Sequence, residues 1–325
     1  MKWTWVVGIV VLCIAVVGGA YYFINNQPRI VSPIGKFIEK PLDKYTIVHL
    51  AKRTYLGSQI VFEEPVATTS GHTVYPFHFT SDGLKVTGVA HVPKGKGPFP
   101  VIVQFRGFVD PTKYFPGEGT AHSSEVFADN GFLTLAPDFL GYGGSASPSA
   151  DAFEERFETY TTALNLLASI KTLSIADSAK VAIWGHSNGG QIAITVSEIL
   201  GQPIPTVLWA PVSKPFPYSI LYYTDDFDDH GKALRRVLAK FENDYDVELY
   251  SLTNYLDRIS SPIQIHQGTA DEAVPVAWSN ALVKILKEKG KDVTYFTYSG
   301  ADHNLMPGWN TVVSRDIIFF NKYLR

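Results

Sequence analysis

A short apolar strand that leads into Gly-x-Ser-x-Gly and then into an apolar helix restricts the fold of this chain most strongly. The run Val181-Ala-Ile-Trp-Gly-His-Ser-Asn-Gly-Gly190 has this layout, which is typical of a nucleophile elbow. Such a turn holds its serine in a strained conformation, and the two glycines of the motif leave room for the crowded backbone. The pattern makes Ser187 the candidate nucleophile, and the alternative is a glycine-rich turn with an idle serine.

The segments around this turn predict a sheet that is mostly parallel. Short, wholly apolar runs are typical of strands buried on both faces, and segments with helical spacing separate them. The apolar runs are Val101–Phe105, Phe132–Ala136, Val181–Trp184, Val207–Trp209, Ile263–His266 and Val293–Thr297. Ahead of them, two alternating runs are joined across Ser81-Asp82-Gly83, and Asp-Gly between such runs is a hairpin signal. We therefore expect antiparallel strands that lead into a doubly wound α/β sheet.

A serine hydroxyl needs a base, and the base needs a carboxylate, before the serine becomes a good nucleophile near neutral pH. Asp271 stands just past one buried run and His303 just past the next. Both follow Ser187 in the chain order Ser, Asp, His. We predict that His303 accepts the serine proton and that Asp271 orients His303. Glu272 and Asp302 are rival carboxylates, and a helix-capping aspartate with a surface histidine is the alternative.

The tetrahedral intermediate of acyl transfer also needs two backbone N–H groups directed at its oxyanion. One is expected from Asn188, the residue after the candidate nucleophile. The other is expected from the loop after Val101–Phe105, where we choose the amide of Phe108 and take that of Gly107 as second choice. Gly107 also fits a plain turn.

With these residues in place, the chain resembles the catalytic domain of prolyl-oligopeptidase-related α/β hydrolases, the relatives of dipeptidyl aminopeptidase and acylaminoacyl peptidase. The resemblance covers about residues 75–325. It rests on Pro98-Phe-Pro-Val-Ile-Val103, on Ala136-Pro-Asp-Phe-Leu-Gly-Tyr-Gly-Gly-Ser145, on the elbow, on His266-Gln-Gly-Thr-Ala-Asp271 with Val274-Pro275, and on Asp302-His303. It implies an α/β-hydrolase fold and a serine hydrolase that works through an acyl-enzyme without cofactor or metal. A peptidase acting on short peptides is the first expectation.

Three positions depart from the pattern of these relatives. Arg106 stands where many have histidine before the glycine of the oxyanion loop, and Leu140 stands where arginine is common. Asn188 stands where the peptidases often have tyrosine. We interpret the arginine as tolerable, because the loop works through backbone amides, and the leucine as the loss of an ion pair. The changes leave open a carboxylesterase or lipase-like hydrolase of small acyl esters, and more distantly a non-catalytic binding module.

The segment from residue 212 to residue 258 separates two predicted strands and is longer than a simple crossover. We expect it to form a partial cap that selects the substrate. Its candidate substrate-binding residues are Tyr218, Tyr222 and Tyr223, which with Phe216 and Phe227 would line an apolar pocket. Four aspartates between residues 225 and 229 would attract a substrate amine. The alternative is a solvated acidic loop above packed aromatic rings.

The N-terminal segment from Val6 to Ile24 carries no charge and is bracketed by aromatic residues. It is long enough to span a bilayer, which predicts a single-pass anchor. The alternative is a secretory signal cleaved after Ala20. Cys13 lies inside this segment, and no other cysteine is present, which suits an oxidising compartment. We therefore expect a catalytic domain outside the cytoplasm, attached to the membrane or else secreted.

Composition limits the partners. The net charge is −3 and no cluster of lysine and arginine stands out, so nucleic acid is excluded as a partner. The expected partner is a small peptide or acyl ester. We divide the chain into an anchor or signal at residues 1–24, a linker and N-terminal extension at residues 25–72, and the catalytic domain at residues 73–325.

Overall fold

The computed structural model describes residues 40–224 and 227–325. The predicted anchor at residues 1–24, together with residues 25–39 of the predicted linker and N-terminal extension, lies outside this part of the chain. Within it, no helix is both long enough and apolar enough to cross a bilayer.

The strands of the described residues form one ten-stranded sheet. They are β1 (Val61–Phe62), β2 (Ala67–Thr68), β3 (His72–Ser81), β4 (Leu84–Pro93), β5 (Phe99–Phe105), β6 (Leu133–Pro137), β7 (Ala176–His186), β8 (Thr206–Trp209), β9 (Ile263–Gly268) and β10 (Val293–Tyr298). Their order across the sheet is β1-β3-β4-β6-β5-β7-β8-β9-β10, and β2 pairs with β3.

The sheet has an antiparallel start and a parallel remainder, as predicted. β3 and β4 form a hairpin whose turn has positive φ at Asp82 (49°) and Gly83 (84°), the conformation that Asp-Gly favours. β4 pairs with β6 in the antiparallel sense, and all pairs from β6 to β10 are parallel. β5 lies between β6 and β7. The chain therefore places the next strand, β6, on one side of β5 and then adds β7 on the other side. Ligands bind outside the carboxyl ends of the strands at such a switch point.

Helices cover both faces of this sheet. They are α1 (Ile47–Lys52), α2 (Ala121–Asp129), α3 (Ala152–Ser169), α4 (Asn188–Leu200), α5 (Tyr218–Leu221), α6 (Lys232–Asp244), α7 (Val276–Glu288) and α8 (Trp309–Leu324). Alternate residues of β5 face opposite cores: Val101 and Val103 contribute to the larger core, while Ile102 contributes to the smaller one. The larger core includes side chains of α3 and α4, and the smaller one side chains of α2 and α8.

The segment inserted between β8 and β9 is fixed by core packing rather than standing free. The ring of Phe241 in α6 lies 4.8 Å from that of Phe153 in α3. Phe216, which we expected in a substrate pocket, is 4% exposed and packs against both of these rings. The segment also bonds to the N-terminal extension, because the Tyr250 hydroxyl donates to the Leu42 carbonyl at 3.1 Å. Phe216 is therefore a core residue, since its apolar ring joins an existing aromatic cluster.

Candidate active site

Ser187 lies on the turn between β7 and α4 in a strained conformation, with φ 56° and ψ −118°. Its N–H donates to the carbonyl of Trp209 at the end of β8, at 2.9 Å. The close approach requires glycine on both sides of the serine. A Cβ at Gly189 would overlap the carbonyl of Phe105, and one at Gly185 would overlap the backbone of Gly189. Such strain costs about 1–3 kcal/mol and persists only where the surroundings enforce it.

Asp271 and His303 form a hydrogen-bonded pair on the loops after β9 and β10. Nδ1 of His303 lies 2.9 Å from Oδ2 and 3.1 Å from Oδ1 of Asp271. Oδ1 also accepts the N–H groups of Ala273 and Val274, at 2.9 and 2.8 Å. Burial alone would raise the pKa of Asp271, but the hydrogen bonds from His303 and Val274 outweigh it and leave that pKa below its usual value. The carboxylate therefore stays ionised and fixes Nδ1, which leaves Nε2 of His303 for proton transfer.

The two rival carboxylates, Asp302 and Glu272, do not take the place of Asp271. Oδ1 of Asp302 accepts the backbone N–H groups of Asn304 and Met306, each at 2.9 Å, and so closes the turn that carries His303. Glu272 is exposed. In the part of the chain that the structure describes, the His303 imidazole bonds to the carboxylate of Asp271 and to neither of these two.

Gln267 supports the carboxylate of Asp271, a role that sequence reasoning missed. Its Nε2 donates to Oδ2 of Asp271 at 2.8 Å, and its Oε1 accepts from the hydroxyl of Ser279 at 2.7 Å. Both residues are fully buried. The signal was present as a polar residue at the end of a buried strand, four positions before the candidate acid, where a buried amide needs partners.

His186, the residue before Ser187, holds the backbone of His303. Its Nε2 lies 3.0 Å from the His303 carbonyl, and because a carbonyl only accepts, this nitrogen carries the hydrogen. The two imidazole rings lie 4.7 Å apart. Burial, followed by the charge of His303, lowers the pKa of His186 to about 4, so its ring is neutral near pH 7. His186 therefore joins two loops of the site, a role that sequence reasoning missed.

The loop after β5 passes directly against the candidate nucleophile. A Cβ at Gly107 would lie 3.2 Å from Cβ of Ser187 and 3.7 Å from its Oγ. The side chain of Phe108 is 75% exposed, so only its backbone is available for the expected role. Asn188 is the first residue of α4, where a backbone N–H has no partner within the helix.

Arg106 fastens this loop. Its side chain is buried, and it donates from Nη1 to the carbonyl of Gly107 at 2.9 Å and from Nη2 to that of Asp138 at 3.1 Å. The guanidinium also lies 4.0 Å from the ring centre of Tyr142 and 4.5 Å from that of Tyr114. Arg106, which stands where relatives carry histidine, therefore stabilises the backbone of this loop.

The carboxylate of Asp138 has hydrogen-bond donors although Leu140 stands where relatives carry arginine. It accepts the hydroxyls of Thr87 and Tyr114, each at 2.5 Å. Burial raises the pKa of Asp138 despite these bonds. The ion pair that we expected to be lost is replaced by two neutral donors and by the nearby charge of Arg106.

A cavity of about 190 Å³ opens beside Asn188. Its walls come from the oxyanion loop, the loop after β6, and the helices α3 and α4. They include Arg106, Phe108, Leu140, Glu155, Arg156 and Asn188. Sequence reasoning missed the contribution of α3, because its apolar spacing indicated only packing against the core.

The three candidate tyrosines gather elsewhere, around Trp278 of α7. Their ring centres lie 6.1 Å (Tyr218), 4.8 Å (Tyr222) and 6.3 Å (Tyr223) from that of Trp278. The Tyr223 hydroxyl donates to the carbonyl of Ala273 at 3.2 Å, two residues beyond the candidate acid. None of the three lines the cavity beside Asn188. They form a separate aromatic group next to the acid loop, with Tyr218 and Tyr222 partly exposed.

The acidic stretch of the inserted segment falls partly outside the described residues, which omit positions 225 and 226. Asp229 accepts backbone N–H groups from Gly231 and Ala233, at 2.8 and 2.7 Å, and so caps α6. Across residues 40–224 and 227–325, no cluster of three or more histidine, cysteine, aspartate or glutamate side chains is arranged to hold a metal ion.

Sequence comparison gives two matches that cover most of this architecture. The sequence model of the prolyl oligopeptidase family matches residues 119–324, which is more than half of the chain. The uncharacterized peptidase YtmA of Bacillus subtilis (strain 168) is 25% identical over 249 residues, which make up 75% of this chain and 91% of that protein.

Solved structures resemble the fold closely at low identity. Acetyl xylan esterase 1 from Thermoanaerobacterium sp. JW/SL YS485 superimposes with a TM-score of 0.61 at 16% identity, over 86% of this chain and 93% of that chain. A puromycin-hydrolyzing peptidase of Mycobacterium tuberculosis superimposes with a TM-score of 0.55 at 19% identity, over 84% of this chain and 40% of that chain. At such identities the likeness confirms the α/β-hydrolase fold alone.

Proposed function

The chain belongs to the prolyl oligopeptidase family and is a serine hydrolase, and from this premise we propose that it cleaves short peptides through an acyl-enzyme formed on Ser187. The observation that carries the proposal is the meeting of three loops. The Asp271–His303 pair comes from the ends of β9 and β10, and its histidine is bonded through the backbone to His186 at the end of β7. These contacts support a role for His303, oriented by Asp271, as the base for the strained Ser187.

In the proposed reaction, Oγ of Ser187 attacks the substrate carbonyl while Nε2 of His303 accepts its proton. Asp271 stabilises the imidazolium that forms. The amides of Asn188 and Phe108 donate to the oxyanion of the tetrahedral intermediate. The imidazolium then gives its proton to the leaving group, the bond to that group breaks, and the acyl-enzyme remains. Water then attacks the acyl-enzyme while Nε2 of His303 accepts its proton. The imidazolium returns a proton to Oγ of Ser187 as the ester bond breaks, and the carboxylic acid is released.

An esterase that acts on small acyl esters is the second candidate, and two observations favour it. The chain spans 93% of an acetyl xylan esterase but only 40% of a puromycin-hydrolyzing peptidase. The cavity beside Asn188, about 190 Å³, is also smaller than the roughly 300–1,000 Å³ of pockets for drug-sized ligands. Both features suit a compact enzyme with a small substrate.

The test is kcat/KM of the full-length chain on a short-chain 4-nitrophenyl ester and on matched aminoacyl and peptidyl 4-nitroanilides, with Ser187→Ala as the blank. Amide turnover that disappears in the variant supports the peptidase. Turnover of the ester alone supports the esterase. If a fluorophosphonate fails to label folded wild-type protein at Ser187, the acyl-enzyme mechanism is wrong for both.

We also propose that residues 1–24 anchor the catalytic domain outside the cytoplasm, with secretion after cleavage as the alternative. The uncharged run from Val6 to Ile24 supports this. Protease added to intact cells should digest the domain, and protection until lysis would contradict the orientation. N-terminal sequencing of the mature protein distinguishes an anchor from a cleaved signal.

A further inference from the structure

Two buried guanidinium N–H groups have no hydrogen-bond partner in the part of the chain that the structure describes, and both belong to residues that line the cavity beside Asn188. They are Nε of Arg106 and Nε of Arg156. A buried donor without a partner is destabilising, and such a group in a native protein requires an explanation. Both guanidinium groups belong to residues that line this cavity, which makes it a candidate site for a group rich in hydrogen-bond acceptors.

The two arginines differ in how far their donors are already used. Arg106 donates to two backbone carbonyls and lies on two tyrosine rings. Arg156 donates from Nη2 to Oε1 of Gln191 at 2.9 Å and pairs with no carboxylate among residues 40–224 and 227–325. Arg156 is therefore the cation that is available to a ligand.

Hydrogen bonds to buried side chains hold the Arg156 guanidinium in place. Gln191, which accepts from it, is 3% exposed and donates from Nε2 to the hydroxyl of Tyr160 at 3.2 Å. Tyr160 is buried and lines the same cavity as Arg156. Because this chain of bonds restricts the long side chain before any ligand arrives, binding loses less conformational entropy.

Glu155 also lines the cavity but does not neutralise Arg156. Burial raises the pKa of Glu155, and the charge of Glu158 raises it further. A close guanidinium would instead lower that pKa. Glu155 forms no ion pair with Arg156 among residues 40–224 and 227–325, so it leaves the positive charge of Arg156 unmatched.

We propose that this cavity binds a short anionic substituent of the substrate, a carboxylate, through Arg156. A guanidinium matches a carboxylate with parallel N–H donors, and the small volume limits the substituent to a few carbon atoms. The proposal rests on the proposed function, because a group that lies beside Asn188 belongs to the compound whose carbonyl Ser187 attacks.

The test compares two 4-nitrophenyl esters of equal acyl length, the valerate and the hydrogen glutarate, which differ in a terminal methyl or carboxylate. Spontaneous hydrolysis, measured with Ser187→Ala, is subtracted from each. A second pair, the acetate esters of phenol and of 3-hydroxybenzoate, places the carboxylate on the leaving group instead. The readout is the ratio of kcat/KM for the anionic ester over the neutral ester in the full-length chain.

We expect wild type to favour the anionic ester in one pair, and Arg156→Met to lower that ratio about 10- to 100-fold, as the loss of a charge-assisted hydrogen bond requires. Arg156→Lys should keep part of the ratio, because it keeps the charge without the planar fork. Lys171→Met is the matched control, because Lys171 is exposed on the turn before β7, away from the strand end that carries Ser187. It should leave the ratio unchanged.

Equal ratios in wild type and Arg156→Met for both pairs would overturn the anionic site and leave the proposed function standing. An effect confined to the second pair supports the site and assigns the carboxylate to the leaving group. No turnover above the Ser187→Ala blank for any ester or anilide would reject the proposed function and this site with it. Labelling of Ser187 by a fluorophosphonate shows that the variant is folded, and Arg156→Gln replaces Arg156→Met if it is not.

Discussion

On one side of Ser187, the polar groups of the Asp271 and His303 loops bond to one another, whereas on the other side the Arg106 loop borders an open cavity with unpaired donors. The first side contains the chain from Ser279 through Gln267 to Asp271. The second leaves Nε of Arg106 unpartnered among the described residues. We interpret the difference to mean that the groups proposed to transfer protons are fixed in advance, while the proposed anion site gains partners only when a ligand binds.

The largest expected effect is at the acid. Asp271→Asn should lower kcat about 10⁴-fold, because the amide no longer holds His303 in the required tautomer. Steady-state kinetics with thermal unfolding as the control measure this. If Asn at this position keeps most of the activity, another carboxylate orients the histidine, and Glu272→Gln and Asp302→Asn would identify it.

The next effect tests whether the oxyanion loop acts through its backbone. Phe108→Pro removes the N–H and should lower kcat about 10²- to 10³-fold. Phe108→Ala keeps the N–H, and because the ring is 75% exposed, it should lose at most about threefold. An equal loss in both variants would show that the side chain matters, and activity in the proline variant would move the donor to Gly107.

Stability should separate the two sides directly. Gln267→Leu removes one buried hydrogen-bond partner from Ser279 and one from Asp271, and should lower the free energy of unfolding by about 2–3 kcal/mol. Arg156→Met removes a side chain whose Nε is already unpartnered, but it also removes the donor to Oε1 of the buried Gln191, so its cost should be smaller, at about 1 kcal/mol. Urea denaturation of both variants measures the free energy of unfolding. Similar losses in the two variants would contradict the difference between the two sides.

A smaller effect concerns the bond between the elbow and the base. His186→Phe keeps an aromatic ring beside His303 but cannot donate to its carbonyl, so we expect kcat to fall about tenfold, the equivalent of one net hydrogen bond. His186→Gln keeps an N–H donor and should recover part of the rate. If the glutamine variant is as slow as the phenylalanine variant, the contact is packing only.

The smallest effect is on the pH dependence of stability. The unfolded chain protonates His186 near its usual pKa of 6.5, while the folded chain does so only at about 4. Between these values the unfolded state binds more protons, so stability falls as the pH falls. His186→Gln should remove a fraction of the about 1.4 kcal/mol per pH unit that one proton gives. His91→Gln is the control, because burial also lowers the pKa of His91 to about 4, and it should change this slope without changing kcat.

Local patterns predicted the strands, the hairpin at Asp82 and Gly83 and the chain order of the candidate acid and base, because these depend on spacing along a few residues. The bond between His186 and the His303 carbonyl joins positions 117 residues apart, so no periodicity contains it. The wall that Arg156 forms depends on which side of α3 faces the switch point of the sheet. Phe216 was misplaced because the rings of α3 and α6 that surround it come together only in three dimensions.

The bonds between Leu42 and the inserted segment affect the order of folding. The N–H of Leu42 donates to the hydroxyl of Tyr245, and its carbonyl accepts from that of Tyr250, across 203 and 208 residues of chain. Contacts of this sequence separation require the intervening chain to be arranged first. The N-terminal extension should therefore dock late, and a shortened chain made for crystallisation should begin before Leu42 rather than at residue 73.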